Sequence, residues 1–281
     1  MMSTALDPNV IAVGAPRAIP FASPLMRAGR YFFAVALVAF GVANFIVGDF
    51  VAGRAPAWPS GVAGGQIWAW VSGVLFILAG LRVMNARHAV QGAVVAAVLI
   101  AVWALLRHVP AALADHTFGG QWTNLGKALA LSGGSLGVGA STEGIDGTPA
   151  WLTPARARLL RTIGRVSLGA FFAASGVQHF MFAQFVMTLV PTWIPGAIFW
   201  TYFAGIALIA GGLGLMVPLT ARLAALMTGL MVFTWLLVLH IPRGVTMNNQ
   251  NEWTAVIEAL AISGIALALI GPGRRAETST K

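Results

Sequence analysis

The sequence predicts an all-α, polytopic membrane protein with eight transmembrane helices arranged as two parallel four-helix repeats. Three observations carry that expectation. Of the 281 residues, 58% are hydrophobic and only 9% are charged, against about 25% charged in a soluble domain. The apolar residues gather in eight runs near the roughly 20 residues a helix needs to cross a bilayer core. The last four runs also repeat features of the first four in the same order, which composition alone does not produce.

Residues 1–28 contain Pro8, Pro16, Pro20 and Pro24 and have no apolar core before Tyr31. They are expected to form a flexible cytoplasmic tail rather than a cleaved signal peptide. The first four spans are expected at 30–49, 64–83, 88–108 and 122–141, within a first repeat covering 29–140. The third ends in "WALLRHVPA" (103–111). The fourth is the least apolar, because Lys127 interrupts it. Its Gly133 and Gly137, four apart, would let a neighbouring backbone approach closely. A linker at 141–160 follows, where "STEGIDGTPAWLTP" mixes small, acidic and proline residues between two apolar runs.

The second repeat, 161–271, holds expected spans at 161–183, 196–217, 219–240 and 252–271. "GRVSLGAFFAASGVQHF" (164–180) echoes "GRYFFAVALVAFGVANF" (29–45), and "PTWIP" (191–195) echoes "PAWP" (56–59) as a loop. "WLLVLHIPR" (235–243) repeats the Trp, His and Pro spacing of 103–111, with Pro242 expected to end span seven. "EWTAVIEALAISGI" (252–265) matches "QWTNLGKALALSGG" (121–134), and 272–281 form a second cytoplasmic tail. Four spans per repeat is an even number, so both repeats enter from the same side and are parallel.

The net charge of +9 is a topology signal. Of the 17 Lys and Arg, only Arg54, Arg107, Lys127 and Arg243 fall on the side opposite the termini. Positive charge concentrates on the cytoplasmic side of membrane proteins, so both termini are expected there and nucleic acid is not an expected partner. Cysteine is absent, which removes disulfides, thiol relays, iron–sulfur clusters and Cys-based zinc sites.

Polar residues of the second repeat collect near one level. His179 and His240 lie near the outer ends of spans five and seven, and Glu258 sits about two turns into span eight. An ionisable group inside a span costs several kcal/mol, about 2.5–3.5 on insertion scales, and usually has a partner or a function. His179, His240 and Glu258 are therefore the candidate catalytic residues. Trp235, His240, Arg243 and Glu252 are the candidate cofactor-binding residues. No His-x-x-x-His or Glu-x-x-His pair lies on one helix, so no metal is expected.

The repeats differ at these positions. His179 corresponds to Asn44, Arg243 to Ala111, Glu252 to Gln121 and Glu258 to Lys127. The opposite charges at the last pair suggest that Lys127 and Glu258 face each other between the repeats. The duller alternative is two separate pairs, Glu258 with Arg243 and Lys127 with Asp115.

The stretches "GRVSLGAFFAASGVQHF", "LVPTWIPG", "LHIP" and "NEWTAVIEALAISG" resemble the DoxX-like family of bacterial membrane proteins, whose unit is four transmembrane helices. The resemblance spans about 164–270 and, through the repeat, 29–140 more loosely. It implies a multi-pass protein of the bacterial inner (plasma) membrane. Family members include small membrane subunits of a thiosulfate–quinone oxidoreductase. A neighbouring group tied to disulfide chemistry has no counterpart here, because this chain lacks Cys. Three functions follow as expectations. The first is a membrane subunit of a quinone-linked redox system, with a quinone as cofactor and a membrane or periplasmic redox protein as partner. The second is a non-catalytic assembly or anchoring protein. The third is a proton-coupled small-solute transporter, against which stands the lack of paired helix interruptions in the sequence.

Overall fold

The computed structural model describes residues 22–271 other than 118 and 146, and every regular element among them is helical. Of the expected tails 1–28 and 272–281, residues 1–21 and 272–281 lie outside the described residues, and 22–28 belong to a helix. The first half of the chain holds α1 (Ala22–Val47), α2 (Gly65–Met84), α3 (Ala89–Trp103), a π turn (Ala104–His108), α4 (Val109–Ala114) and α5 (Gly119–Ala140). The second holds α6 (Pro154–Met181), α7 (Ala183–Val186), a 3-10 turn (Met187–Leu189), α8 (Ala197–Met216), α9 (Ala221–Trp235), a second π turn (Leu236–His240), α10 (Ile241–Met247) and α11 (Gln250–Ala268).

The long helices form a closed ring in space. In turn α1 packs on α2, α2 on α3, α3 on α5, α5 on α6, α6 on α8, α8 on α9 and α9 on α11, which returns to α1. Across the ring, α5 also touches α11. Glycines set the closest approaches. A Cβ on Gly41 would meet Gly73 O and Ile77 Cγ1 at 2.6 Å, and one on Gly176 would meet Gly205 O and Ile209 Cγ1 at the same distances. Between the halves, Gly29 lies against Gly264 and Gly164 against Gly133 and Gly137. A missing side chain at each crossing lets the backbones make contact.

Five helical segments are long and apolar enough to cross a membrane, and α6 with its bent continuation to Leu189 makes a sixth. Neither α5 nor α11 is among them. Their polar residues, Asn124 and Lys127 in one and Glu252 and Glu258 in the other, lower their hydropathy. Both helices are shielded by the rest of the bundle, and every residue from Ala261 to Ile270 is buried. A helix largely covered by protein needs less apolar surface for lipid, and what α5 and α11 do expose includes Trp122, Leu129 and Trp253. With 22 and 19 residues, they are about 33 and 28 Å long at roughly 1.5 Å per residue.

Two boundaries differ from those the sequence suggested. α1 begins at Ala22, with Pro24 in its first turn, where a backbone N–H has no intrahelical acceptor to lose. α6 begins at Pro154 behind Thr153, whose side chain accepts the Arg156 N–H, so the linker shortens to 141–153.

A third difference is that Pro242 does not end its helix. The chain continues helically to Met247, as it does past Pro110 to Ala114. Proline in an α-helix collides with the carbonyl four residues back. Here that carbonyl lies in a π turn, in which the Val109 N–H reaches back to Ala104 O and the Ile241 N–H to Leu236 O. The wider turn accommodates the ring. The two halves thus carry paired interruptions of the α-helical pattern, which the sequence did not reveal.

Candidate functional site

The site grows from one buried ion pair. Glu258, on α11 and 3% exposed, accepts a hydrogen bond from Lys127 Nζ of α5 at 2.8 Å. Arg54, from the connection between α1 and α2, brings its Nε to 3.7 Å from the same carboxylate oxygen and donates through NH2 to the Asn251 carbonyl. Arg54 holds a left-handed backbone angle, φ 52°, a conformation that few non-glycine residues adopt. Lys127 and Glu258 therefore meet directly across the two halves, as the opposite charges at matched positions suggested. The alternative pairing of Glu258 with Arg243 does not occur. Arg243 instead forms a two-point bond to Glu252 at 2.7 and 3.1 Å.

Three adjoining cavities surround the segment Phe185–Leu189, which follows a 95° bend after α6. The first, of about 350 Å³, is almost wholly apolar, with Trp200, Phe203, Met231, Trp235 and Leu239 among its walls and His179 at its edge. The second, about 650 Å³, also presents mostly apolar surface, with Phe182, Phe185 and Val186 in its walls, but Arg54, Thr123, Asn124, Lys127, Gln178 and again His179 line it too. The third, about 340 Å³, joins Arg54 and Thr188 to His240, Arg243 and Glu252. The candidate residues thus do not converge on one pocket. His179 serves the first two cavities, His240 the third, and Glu258 is held behind them by Lys127. Arg54 lines the second and third. Among the described residues, no group of three or more His, Asp or Glu could hold a metal ion.

His179 has a defined tautomer. Its Nδ1 lies 2.7 Å from the Ser175 carbonyl. A carbonyl only accepts, so Nδ1 carries the hydrogen and the neutral ring keeps Nε2 as an acceptor.

In the first half, the connection that follows α1 is packed inward. Phe50, Val51 and Ala52 are each at most 2% exposed, and the Phe50 ring stacks 5.3 Å from Trp103 and 5.5 Å from Phe76. Asn44, which the sequence comparison sets against His179, accepts the Val51 N–H and donates to the Ala69 carbonyl. Trp103 Nε1 donates to Ser72 at 2.9 Å, and His108 Nε2 donates to the Gly53 carbonyl at 3.1 Å. Arg107 locks the same loop by a two-point bond to Asp49 at 2.6 and 2.9 Å and lies over Trp58 and Trp103. Although burial opposes it, Arg107 and the N–H groups of Phe50 and Trp58 hold the Asp49 carboxyl below its ordinary value.

Residues 168–262 match a family model described as a domain of unknown function (DUF8561). That stretch runs from α6 to α11 and contains every candidate residue the sequence singled out: His179, Trp235, His240, Arg243, Glu252 and Glu258. Lys127 and Arg54, the partners of Glu258, lie outside it. No curated protein and no solved structure matches the chain.

Sequence reasoning missed three features. Arg54 was only a charge to be counted for topology, because its approach to Glu258 spans more than two hundred positions of chain. The Asp49–Arg107 lock was missed because the second half has no counterpart to compare. The third was the Phe50 plug, whose one visible trace was the apolar triplet Phe50-Val51-Ala52 inside a loop of glycines and prolines.

Proposed function

We propose that this chain is an eight-span protein of the bacterial plasma membrane, built as two parallel four-helix repeats with cytoplasmic termini. In this reading its second repeat holds a quinone as the membrane subunit of a redox system, in line with the resemblance to DoxX-like proteins. The observation that carries the functional part is the apolar cavity with Trp200 and Trp235 in its walls and a single imidazole at its edge. Pockets for flat apolar cofactors combine such walls with few polar groups. Quinone reduction takes up protons as well as electrons, and the Nε2 of His179 is the protein atom suited to exchange one with a ring oxygen.

Matched glycine crossings at Gly41 and Gly176, at Gly29 and Gly164, and the paired π turns support the repeat reading. The charges support the orientation. At the His108 and His240 end, Arg54, Lys127, Arg107 and Arg243 all meet carboxylates. The opposite end carries Arg82, Arg87, Arg156, Arg158, Arg161, Arg165 and Arg222, an excess of the kind that stays cytoplasmic.

The test is direct. Protein extracted in mild detergent should carry a quinone, identified by mass spectrometry of its lipophilic extract. Stripped protein should rebind a long-chain quinone saturably, near one per chain, and Trp235→Leu should abolish that binding. Protein that carries no quinone and shows no saturable binding would refute the reading.

A second reading keeps the chain non-catalytic, as an assembly or anchoring protein. The internal ion pairs of Glu258 with Lys127 and of Glu252 with Arg243 favour it, although Oε1 of Glu258 is buried with no hydrogen-bond partner. A third, proton-coupled transport, draws on the paired π turns, since matched interruptions mark binding sites in repeat-built transporters.

A further inference from the structure

The first half shows what the apolar cavity of the second is shaped to receive. Counting from the two π turns, Trp235 stands where Trp103 does, each immediately before its turn. Along α2 and α8, the glycine crossings pair Gly73 with Gly205, so Ser72 corresponds to Ala204 and Phe76 to Leu208. Trp235, Ala204 and His179 all line the cavity. Their counterparts Trp103, Ser72 and Asn44 surround the buried segment led by Phe50. One six-membered ring, supplied by the chain itself, stacks on the tryptophan of the first half. In the second half the connection between α6 and α8 bends away at Phe182, and the same place is open.

The polar atoms around that open place are nearly all acceptors. His179 has its hydrogen on Nδ1, committed to Ser175, and presents an acceptor at Nε2. Thr201 donates its hydroxyl hydrogen to the Ala197 carbonyl and Thr234 donates to the Leu230 carbonyl, each within its own helix. Trp200 donates its ring N–H to Pro195. Trp235 has Ala204 where Trp103 has the Ser72 hydroxyl, so its ring N–H lacks the acceptor its counterpart uses. A ligand that brought only carbonyl oxygens would leave the acceptors of His179, Thr201 and Thr234 unanswered. One that brings a hydroxyl hydrogen satisfies one of them, and its oxygen can still accept from Trp235. Burying a polar group without a partner is costly, so this difference selects the ligand.

We infer that the cavity binds a single six-membered ring bearing a hydroxyl group, stacked on Trp235 as Phe50 is on Trp103, with the hydroxyl donating to His179 Nε2. The ligand class is a phenol or hydroquinone, the reduced partner of a quinone pair. This rests on the proposed quinone function and sharpens it: the site is built for the reduced form.

The test uses redox-inert probes on the full chain in nanodiscs, with empty nanodiscs measuring partition into lipid. Binding of 4-hexylphenol and of its methyl ether 4-hexylanisole is followed by equilibrium dialysis with mass-spectrometric quantification. The expected result is one phenol per chain with the ether at least about tenfold weaker. His179→Ala should remove that preference, and Ala204→Phe, which fills the ring seat, should remove binding of both. The phenol–ether comparison needs only the wild-type protein, so it decides the hydroxyl assignment even if a variant fails to fold. Equal affinity for phenol and ether would overturn the hydroxyl assignment and leave the quinone reading standing. Phenol binding unchanged in folded Ala204→Phe would overturn the seat. Saturable binding of a long-chain quinone with no binding of either probe would overturn this inference alone, whereas absence of all three would overturn it together with the quinone function.

Discussion

Exchanging Lys127 and Glu258 tests the ion pair that joins the halves. Changing Glu258 alone leaves the Lys127 charge buried without its partner, and changing Lys127 alone leaves Glu258 with only the screened Arg54 at 3.7 Å; losing a buried partner costs about 3–5 kcal/mol. The double exchange, Lys127→Glu with Glu258→Lys, restores an ion pair between the same positions, now 2.8 Å apart in the native protein. It should not restore stability fully, because Arg54 stays at 3.7 Å from the group at position 258. Arg54 is 36% exposed on its side chain, so its interaction is strongly screened. With a water-like dielectric, a pair at that distance is worth about 1 kcal/mol. Reversing its sign costs about 2 kcal/mol, and the exchange therefore recovers only part of the loss.

A third substitution separates the contributions of Arg54 and Lys127. Arg54→Gln should destabilise the native protein by up to about 1 kcal/mol and stabilise the exchanged protein by a similar amount. Arg54 and Lys127 line one cavity, and their repulsion trims the native figure. The assay is thermal unfolding in detergent, where about 1 kcal/mol corresponds to roughly 2–4 °C for a chain approaching this size. An Arg54→Gln effect of the same sign in both backgrounds, or an exchange no better than the worse single variant, would sink the pairing argument.

Three further predictions use the same assay. The Asp49 carboxyl is depressed below its ordinary 3.8, so its contribution is complete above about pH 4 and is lost as pH falls through the lower folded value. Asp49→Asn should flatten the acid limb of the Tm–pH curve while lowering Tm at neutral pH; an unchanged acid limb would remove Arg107–Asp49 from the account. Gly176→Ala should cost about 1–3 kcal/mol, because its Cβ would meet the Gly205 carbonyl at 2.6 Å. Gly126→Ala, whose nearest neighbour is Phe171 Cδ2 at 3.5 Å, should be neutral or gain up to about 1 kcal/mol; equal losses at the two sites would contradict the packing. Phe50→Ala should cost about 3–5 kcal/mol and leave a space that toluene fills, so added toluene should raise the variant's Tm more than the native one.

How much of this was legible beforehand follows from the kind of contact involved. Local pattern reached helices α2, α3, α8 and α9 within a few residues and the end of α1, though not its start at Ala22, because a continuous apolar run carries its own signal. It overestimated the punctuating power of Pro110 and Pro242, since a π turn is a geometry of the folded chain that composition does not encode. Comparison of the halves exposed Lys127 against Glu258, because an exchanged charge at matched positions stands out in one dimension. It could not find Arg54, Asp49 or Phe50, whose partners are distant in the chain and unmatched in the other half.

The sequence by itself determined an all-helical chain rich in apolar spans and the few ionisable groups that need partners. These depend on composition and spacing alone. Tertiary structure alone decided that α5 and α11 lie shielded in the bundle with their charges joined, and that Arg54 crosses between halves. It also decided that two similar His-Pro corners have different fates. His108 is spent on the Gly53 carbonyl beneath a loop plugged by Phe50, whereas His240 borders an open cavity. The difference arises in the connection after the first helix of each half. Phe50 turns inward onto Trp103, whereas the segment that bends after Phe182 borders a cavity beside Trp235 without filling it, so one half is closed by its own chain and the other has room for a ligand.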